Sequence, residues 1–258
     1  MGMTLNVQQM VILIVLGIVG SAAILPYSAA LQSQMNLSLK LLLLSLLQGA
    51  VFTAIAVCVG MLASKKLGLQ VISSPQILPL AILLGFAAGA VIIALELLVF
   101  QPHLPEALAL AVADGGAAPD IAIWKRLLAS LYGGISEELL MRFFLLSGLL
   151  WLVTRVWSGP QGEALEGVFW IVNIAIALLF GLGHLPALLQ MVEKLTPLLL
   201  TRTLVLNGIA GIIFGWLYWK YGLAAAMVSH FSADIVLHVI SPMVTHYLKS
   251  GAGHGGAL

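Results

Sequence analysis

Long apolar runs recur along the chain, and short polar stretches such as SKKLGLQVISSPQ and SGPQGEALEG separate them. A helix needs roughly 20 mostly apolar residues to cross the hydrocarbon core of a bilayer, and these runs are of that length. The predicted spans lie at about 8–31, 38–63, 76–100, 127–157, 167–190, 203–219 and 222–248. The pattern therefore predicts an all-α, polytopic transmembrane helix bundle of about seven spans, or eight if one long segment breaks.

The polar interruptions also predict how the chain is organised. We expect residues 1–258 to form a single integral membrane domain, with three N-terminal spanning helices in residues 1–100. The longest interruption, QPHLPEALALAVADGGAAPD, carries the proline and glycine residues that mark loops, and it follows the third helix. Residues 250–258 are rich in glycine, and we expect them to form a flexible tail.

The composition agrees with a multi-pass membrane protein. Hydrophobic residues make up 61% of the chain and charged residues 8%, with a mean hydropathy of +1.11. A soluble domain carries about 25% charged residues. This composition makes the lipid bilayer an expected partner. Nucleic acid is not an expected partner, because the formal net charge of +1 gives no basic field.

Three charged residues interrupt the apolar segment GGISEELLMRFFLLSGLL, where charge is costly. Glu138 and Arg142 are four residues apart, so on a helix they lie on one face and are expected to pair. Glu137 is rotated by about 100° from Glu138 and has no such partner on its own helix. Packing alone does not require a second, unpaired acid, which makes Glu137 a candidate general base.

Two later segments add histidines. His184 lies in FGLGHLPALLQ, where Pro186 can bend the helix or free a backbone carbonyl. In HFSADIVLH, His230, Asp234 and His238 recur every four residues and form a polar stripe on one helical face. Asp234 can bond a ring nitrogen of either histidine, and His238 is the member expected to be structural.

These groups come from three separate helices, which a bundle can bring together in its core. A carboxylate with a histidine suits the activation of a water molecule. A further histidine suits hydrogen-bond donation to a developing oxyanion. The reaction class that this combination predicts is hydrolysis of an acyl bond, with a peptide as the expected substrate.

Three short motifs resemble those of a known family. EELLMR is similar to the EExxxR motif of the CPBP (Abi) group, which contains Rce1-like type II CAAX-prenyl proteases and bacteriocin-processing intramembrane endopeptidases. FGLGH resembles the second motif of that family, FxxxH, and HFSAD resembles the third, HxxxN. The resemblance covers roughly residues 121–248, which would then be the catalytic core, and it implies a metal-independent glutamate protease without a cofactor.

The resemblance also implies roles for single residues. Glu137 and His184 would hold and activate the water. His230 and the residue at position 234 would stabilise the oxyanion. Glu138 and Arg142 would support the site. Asp234 stands where the family often has Asn, and an ionised Asp cannot donate to an oxyanion, so it is either protonated or only orients His230.

The substrate is left open by these patterns. The resemblance implies a peptide or protein that is membrane-associated, either prenylated at its C-terminus or a leader peptide. The small size of the chain leads us to expect a prokaryotic cell membrane.

Two alternatives use the same polar residues. A metal-dependent hydrolase could take its ligands from Glu137, His184, His230 and Asp234, although the chain has no HExxH motif. A transporter or inactive scaffold could use the cluster as a proton relay, in which case Glu96 near a span end would gain importance.

The predicted span order raises a question of depth. Glu137 near the start of one span and His184 near the end of the next would lie on the same side of the membrane. His230, near the start of the last span, would lie on the opposite side. The site therefore requires that all three residues lie near mid-depth, or that PALLQMVEKLTPLLL adds a break.

Overall fold

A computed structural model describes residues 6–31, 38–105, 121–160 and 164–244. This part of the chain forms seven long helices and contains no strand. The helices are α1 (Val7–Leu31), α2 (Leu39–Leu67), α3 (Pro75–His103), α4 (residues 123–153), α5 (Glu166–Leu188), α6 (Pro197–Tyr221) and α7 (Leu223–Val244). All except α4 are long and apolar enough to span a membrane by length and composition. The protein is thus an all-α, polytopic helix bundle.

Helix α4 is also long enough to cross a bilayer, but its charged residues set it apart from the other six. Within the described chain, the three predicted N-terminal helices are α1, α2 and α3. The predicted tail at 250–258 and the last predicted residues of the seventh span, 245–248, lie outside the described residues.

Two helix starts differ from the predicted ones by more than one residue. Helix α4 begins at Ile123 rather than at 127, and α6 begins at Pro197 rather than at 203. The start of α6 has a clear physical signal, because the Thr196 hydroxyl accepts a hydrogen bond from the Leu199 amide at 3.2 Å and proline follows it at the first helical position. The hydrophobic pattern missed this turn because Arg202 interrupts the apolar run.

Two helices bend without adding an eighth span. Helix α1 breaks at Ile24 and α5 breaks at His184, and each break precedes a proline by two residues. Proline lacks an amide hydrogen and its ring collides with the carbonyl four residues earlier, which explains both positions. His184 consequently lies at the junction of two helical pieces, Glu166–Gly183 and Leu185–Leu188.

The last three helices form the interior of the bundle. In their most apolar stretches 44% of the residues are buried, against 17–28% in α1, α2 and α3. Helices α5 and α6 approach closely because Gly211 lies against Ala177, and Gly215 lies against Asn173. Such small residues allow helix backbones to meet in a membrane, where packing replaces the hydrophobic effect between helices.

The start of α7 is fixed by the loop between α2 and α3. The Leu223 amide donates to the Gln70 carbonyl at 3.0 Å, and the Ala224 amide donates to the Val71 carbonyl at 3.2 Å. The Ala225 amide donates to the Ser73 hydroxyl at 2.8 Å. These bonds satisfy three of the four amides that a helix leaves unpaired at its first turn.

Several helical segments are wound as π-helix, a form that is rare and frequent at functional sites. They are Gly133–Glu137 and Leu139–Leu146 in α4, Ile235–Ile240 in α7, and Glu96–Phe100 in α3. The segments in α4 and α7 contain or adjoin five of the residues singled out by the sequence, namely Glu137, Glu138, Arg142, Asp234 and His238.

Candidate active site

The centre of the site is a fully buried ion pair. Arg142 Nη1 lies 2.9 Å from Glu138 Oε1, and neither side chain is more than 1% exposed. The pairing that the spacing of four predicted is confirmed. Arg142 also donates from Nη2 to the Gly211 carbonyl on α6 at 3.0 Å, so the guanidinium connects α4 to α6.

The same carboxylate holds His230 of α7. His230 Nδ1 lies 2.7 Å from Glu138 Oε1. A carboxylate paired with arginine can only accept hydrogen bonds. Nδ1 therefore carries a proton and donates a hydrogen bond to Glu138. The Phe214 ring stacks on the imidazole at a centroid distance of 4.6 Å and an angle of 20°. The ring of His230 is therefore fixed on one edge and one face.

The other ring nitrogen of His230 faces two acids. Glu137 Oε2 and Asp234 Oδ1 each lie 3.7 Å from His230 Nε2. These separations are too long for direct hydrogen bonds and suit a bridging water or a substrate atom. Glu137 is 20% exposed while Glu138 is fully buried, so of the two adjacent acids Glu137 is the one accessible from outside.

A glycine on α4 allows the two helices to meet here. A Cβ atom on Gly133 would collide with Asp234 Oδ2 and would lie 3.1 Å from His230 Nε2. The backbone of α4 thus forms one wall of the space around Nε2. On the far side of Asp234, His238 Nε2 lies 3.9 Å from Asp234 Oδ1 and its side chain is 30% exposed.

His184 is connected to this cluster by the ring of Phe180, which contacts both His184 and His230. Its Nδ1 lies 2.8 Å from the Phe180 carbonyl, which can only accept, so Nδ1 is the donor and Nε2 of the neutral ring carries a lone pair. The Phe180 ring lies edge-on to both histidines, at centroid distances of 4.7 Å to His184 and 5.7 Å to His230.

The structure explains how Glu137 and His230, whose side chains approach to 3.7 Å, come to lie at the same depth. Because α4 starts at Ile123, Glu137 lies near the middle of that helix. It meets His230, which lies on the third turn of α7. His184 lies at the bend of α5, one turn beyond Phe180.

A family model matches the part of the chain that forms this cluster. Residues 119–236 match the model described as Type II CAAX prenyl endopeptidase Rce1-like. The chain carries an Rce1-like domain. All three motifs and the cluster around His230 Nε2 fall within the matched residues. Searches among curated proteins and among solved structures found no match. A match to this model indicates an intramembrane endopeptidase of the CAAX protease type that acts on a peptide substrate.

Five contacts of the Rce1-like domain, made by Phe180, Phe214 and Gly211, were not predicted. The rings of Phe180 and Phe214 flank the Arg142 guanidinium at 4.9 and 5.5 Å, and both also contact His230. The Gly211 carbonyl accepts from Arg142. Phe180 is the first residue of the FxxxH motif, which marked its position in the sequence without indicating these partners.

A second ion pair joins a residue within the matched range, Arg202, to one outside it, Glu96. Arg202 Nε of α6 lies 2.7 Å from Glu96 Oε2 of α3, and the side chains are 15% and 13% exposed. Glu96, which would gain importance under the relay alternative, thus pairs with a cation of a neighbouring helix.

The described residues of the Rce1-like domain contain no group of three or more His, Cys, Asp or Glu side chains arranged to hold a metal ion. Metal independence stays a prediction, because the cluster includes Glu137, His230 and Asp234, three of the four side chains that the metal-dependent alternative would use.

Proposed function

We propose that the protein is an intramembrane endopeptidase in which Glu137 and His184 activate a water molecule and His230 stabilises the oxyanion. The observation that carries the proposal is the space bounded by Glu137 Oε2, Asp234 Oδ1 and His230 Nε2. An acid and an imidazole face each other there at a distance that leaves room for reacting atoms.

Glu137 is the proposed general base. It takes a proton from water, and the resulting hydroxide attacks the carbonyl carbon of the scissile peptide bond. The carbonyl oxygen becomes an oxyanion. When the C–N bond breaks, Glu137 returns the proton to the leaving nitrogen, so the reaction consumes one water and no other reactant. The partial exposure of Glu137 is consistent with contact to water and substrate.

His184 is proposed to hold the attacking water. Its Nδ1 proton is used by the Phe180 carbonyl, which leaves the Nε2 lone pair of the neutral ring as an acceptor for a water proton. An acceptor on the water beside the base orients the molecule before the attack.

His230 is proposed to donate from Nε2 to the oxyanion. Since Nδ1 already donates to Glu138, this requires a ring that carries both protons. Glu138 and Arg142 would fix the ring. Asp234, at 3.7 Å from Nε2, is proposed to orient His230 from the side of the substrate. Asp234 would act through charge at this distance rather than through a direct hydrogen bond.

The proposed substrate is a membrane-associated peptide, either a prenylated C-terminal peptide or a leader peptide. A prokaryotic cell membrane is the proposed location. A prenylated chain and the apolar h-region of a leader both partition into lipid, which suits a site built within a bundle of membrane-spanning helices.

The test is a cleavage assay of the purified protein in lipid nanodiscs, with a library containing farnesylated C-terminal peptides and leader peptides. Wild type is compared with Glu137→Gln, which keeps the shape of the side chain but is a poor base. We expect turnover to fall on the order of 10²-fold or more. Glu166→Gln is the matched control, because this exposed acid at the start of α5 lies outside the site. Turnover of Glu137→Gln near that of wild type would remove Glu137 from the base role.

A further inference from the structure

Each of the three N-terminal helices packs, through a glycine, against a residue that is adjacent in sequence to a residue of the candidate site. On α1, a Cβ atom at Gly20 would collide with the Ser136 hydroxyl and lie 3.3 Å from Ile135 Cβ. Ser136 directly precedes Glu137. Its hydroxyl donates to the Gly17 carbonyl of α1 at 3.3 Å. The backbone of α1 is therefore in contact with the turn of α4 that carries the proposed base.

The contact of α3 is with the helix that carries His230. A Cβ atom at Gly85 would collide with the carbonyl oxygen of Ser229, the residue before His230. One turn later, a Cβ atom at Gly89 would lie 3.0 Å from the Ala233 carbonyl, next to Asp234. Because both contacts are with backbone atoms of α7, no side-chain movement can relieve them.

Helix α2 makes the third contact. A Cβ atom at Gly60 would collide with the Phe143 ring and lie 2.7 Å from the Phe143 carbonyl. Phe143 follows Arg142 and is fully buried. All of these glycines lie outside the matched residues 119–236.

We propose that Gly20 and Gly85 are positioning residues that set the separation of α4 and α7, and with it the distance between Glu137 and His230. The inference rests on the proposed function. Helix α1 abuts α4 and α3 abuts α7, each at a residue adjacent to a reacting group. A methyl group at either position displaces one catalytic helix relative to the other.

The expected effect is on turnover. A displacement of about 1 Å from a change away from the chemistry can reduce the rate about 10²-fold. The atoms nearest to the two glycines belong to Ile135, Ser136, Ser229 and Ser232, none of which is a proposed catalytic residue. The predicted result of Gly20→Ala or Gly85→Ala is therefore a kcat lower by about 10-fold to 10²-fold, with KM changed by less than about 3-fold.

The experiment measures kcat, KM and melting temperature of the full-length variants in nanodiscs on a peptide that wild type cleaves. Gly208→Ala is the matched control, because a Cβ atom there meets nothing within 4 Å. The decisive variant is the double change Gly20→Ala with Ser136→Ala, which deletes the hydroxyl in the collision. It should restore kcat to that of Ser136→Ala. Gly85→Ala combined with Ser229→Ala should stay impaired, because the colliding atom is a backbone carbonyl.

The inference is overturned if Gly20→Ala and Gly85→Ala have the kcat of Gly208→Ala, or if Ser136→Ala gives Gly20→Ala no recovery. If Gly20→Ala does not fold, Ser136→Thr enlarges the same contact from the other side, and an unchanged kcat would likewise overturn it. Failure of the proposed function is separate: it would appear as absence of cleavage by wild type or as full activity of Glu137→Gln.

Discussion

Removing Arg142 should destabilise the bundle as well as stop hydrolysis. In Arg142→Ala, Glu138 loses its cation at 2.9 Å while it remains fully buried between α4 and α7. The Gly211 carbonyl loses its donor, and the Phe180 and Phe214 rings lose the guanidinium between them. His230 Nδ1 still donates to Glu138, so the carboxylate keeps one partner.

The magnitude follows from these contacts. Breaking a buried ion pair by removing one partner costs about 3–5 kcal/mol, because the remaining charge is left uncompensated. Two contacts of a cation with aromatic faces add about 1 kcal/mol in total. The retained bond from His230 offsets part of this loss. We expect a decrease of about 4 kcal/mol in the free energy of unfolding, a large part of the 5–15 kcal/mol that is typical of folded proteins.

The assay is equilibrium unfolding in mixed micelles, followed by circular dichroism, beside the peptide-cleavage assay. The double variant Glu138→Leu with Arg142→Leu removes both charges and should recover most of the stability. It should stay inactive, because His230 Nδ1 then has no acceptor. The stability of Arg142→Lys should lie between those of wild type and Arg142→Ala. One ammonium group cannot reach both Glu138 and the Gly211 carbonyl as the planar guanidinium does.

A double variant as unstable as Arg142→Ala would refute the reasoning, because burial of an unpaired charge would then not be the cause. A loss below about 1 kcal/mol in Arg142→Ala would refute it as well, since such a value is typical of exposed pairs.

Two further predictions concern the chemistry. Chelators should leave cleavage unchanged, whereas stoichiometric zinc that is lost with activity and restores it on re-addition would favour the metal-dependent alternative. Asp234→Asn should reduce the rate modestly, and His230→Ala should cost roughly 2.7–4 kcal/mol of transition-state stabilisation, as loss of a donor does in a comparable oxyanion site. The pH–rate profiles of wild type and Asp234→Asn decide the role of Asp234: an alkaline limb present only in wild type would contradict the orienting role and support direct donation.

Spacing along the sequence predicted the contacts that lie within one helix. Glu138 and Arg142 pair across one turn, and Pro186 bends α5 beside His184 as expected. Both follow from local geometry, in which residues four apart are neighbours and proline disrupts the preceding turn. The helical class and most spans follow from hydrophobic length in the same way.

Contacts between different helices could not be predicted from spacing along the sequence. The hydrogen bond from His230 to Glu138 joins residues from two helices that are far apart in sequence, and Asp234 had been the expected partner of His230 on grounds of spacing. The rotation and depth of α7 relative to α4 determine which acid the imidazole meets. Those quantities depend on close approach at Gly133 and on the π-helical winding of both helices, and neither produces a periodic signal in the sequence.

The hydrogen bonds from the start of α7 to the loop of Gln70, Val71 and Ser73 have a consequence for biosynthesis. At about 5–20 residues per second, the ribosome adds the residues between Val71 and Leu223 in roughly 8–30 s. During that interval the loop has been made but its helical partner has not. His230 and Asp234 reach Glu137 only after α7 has inserted and docked on a loop translated much earlier. Under the proposed mechanism, a nascent chain therefore cannot hydrolyse neighbouring peptides while it is still entering the membrane, and activity arises only after the last described helix is in place.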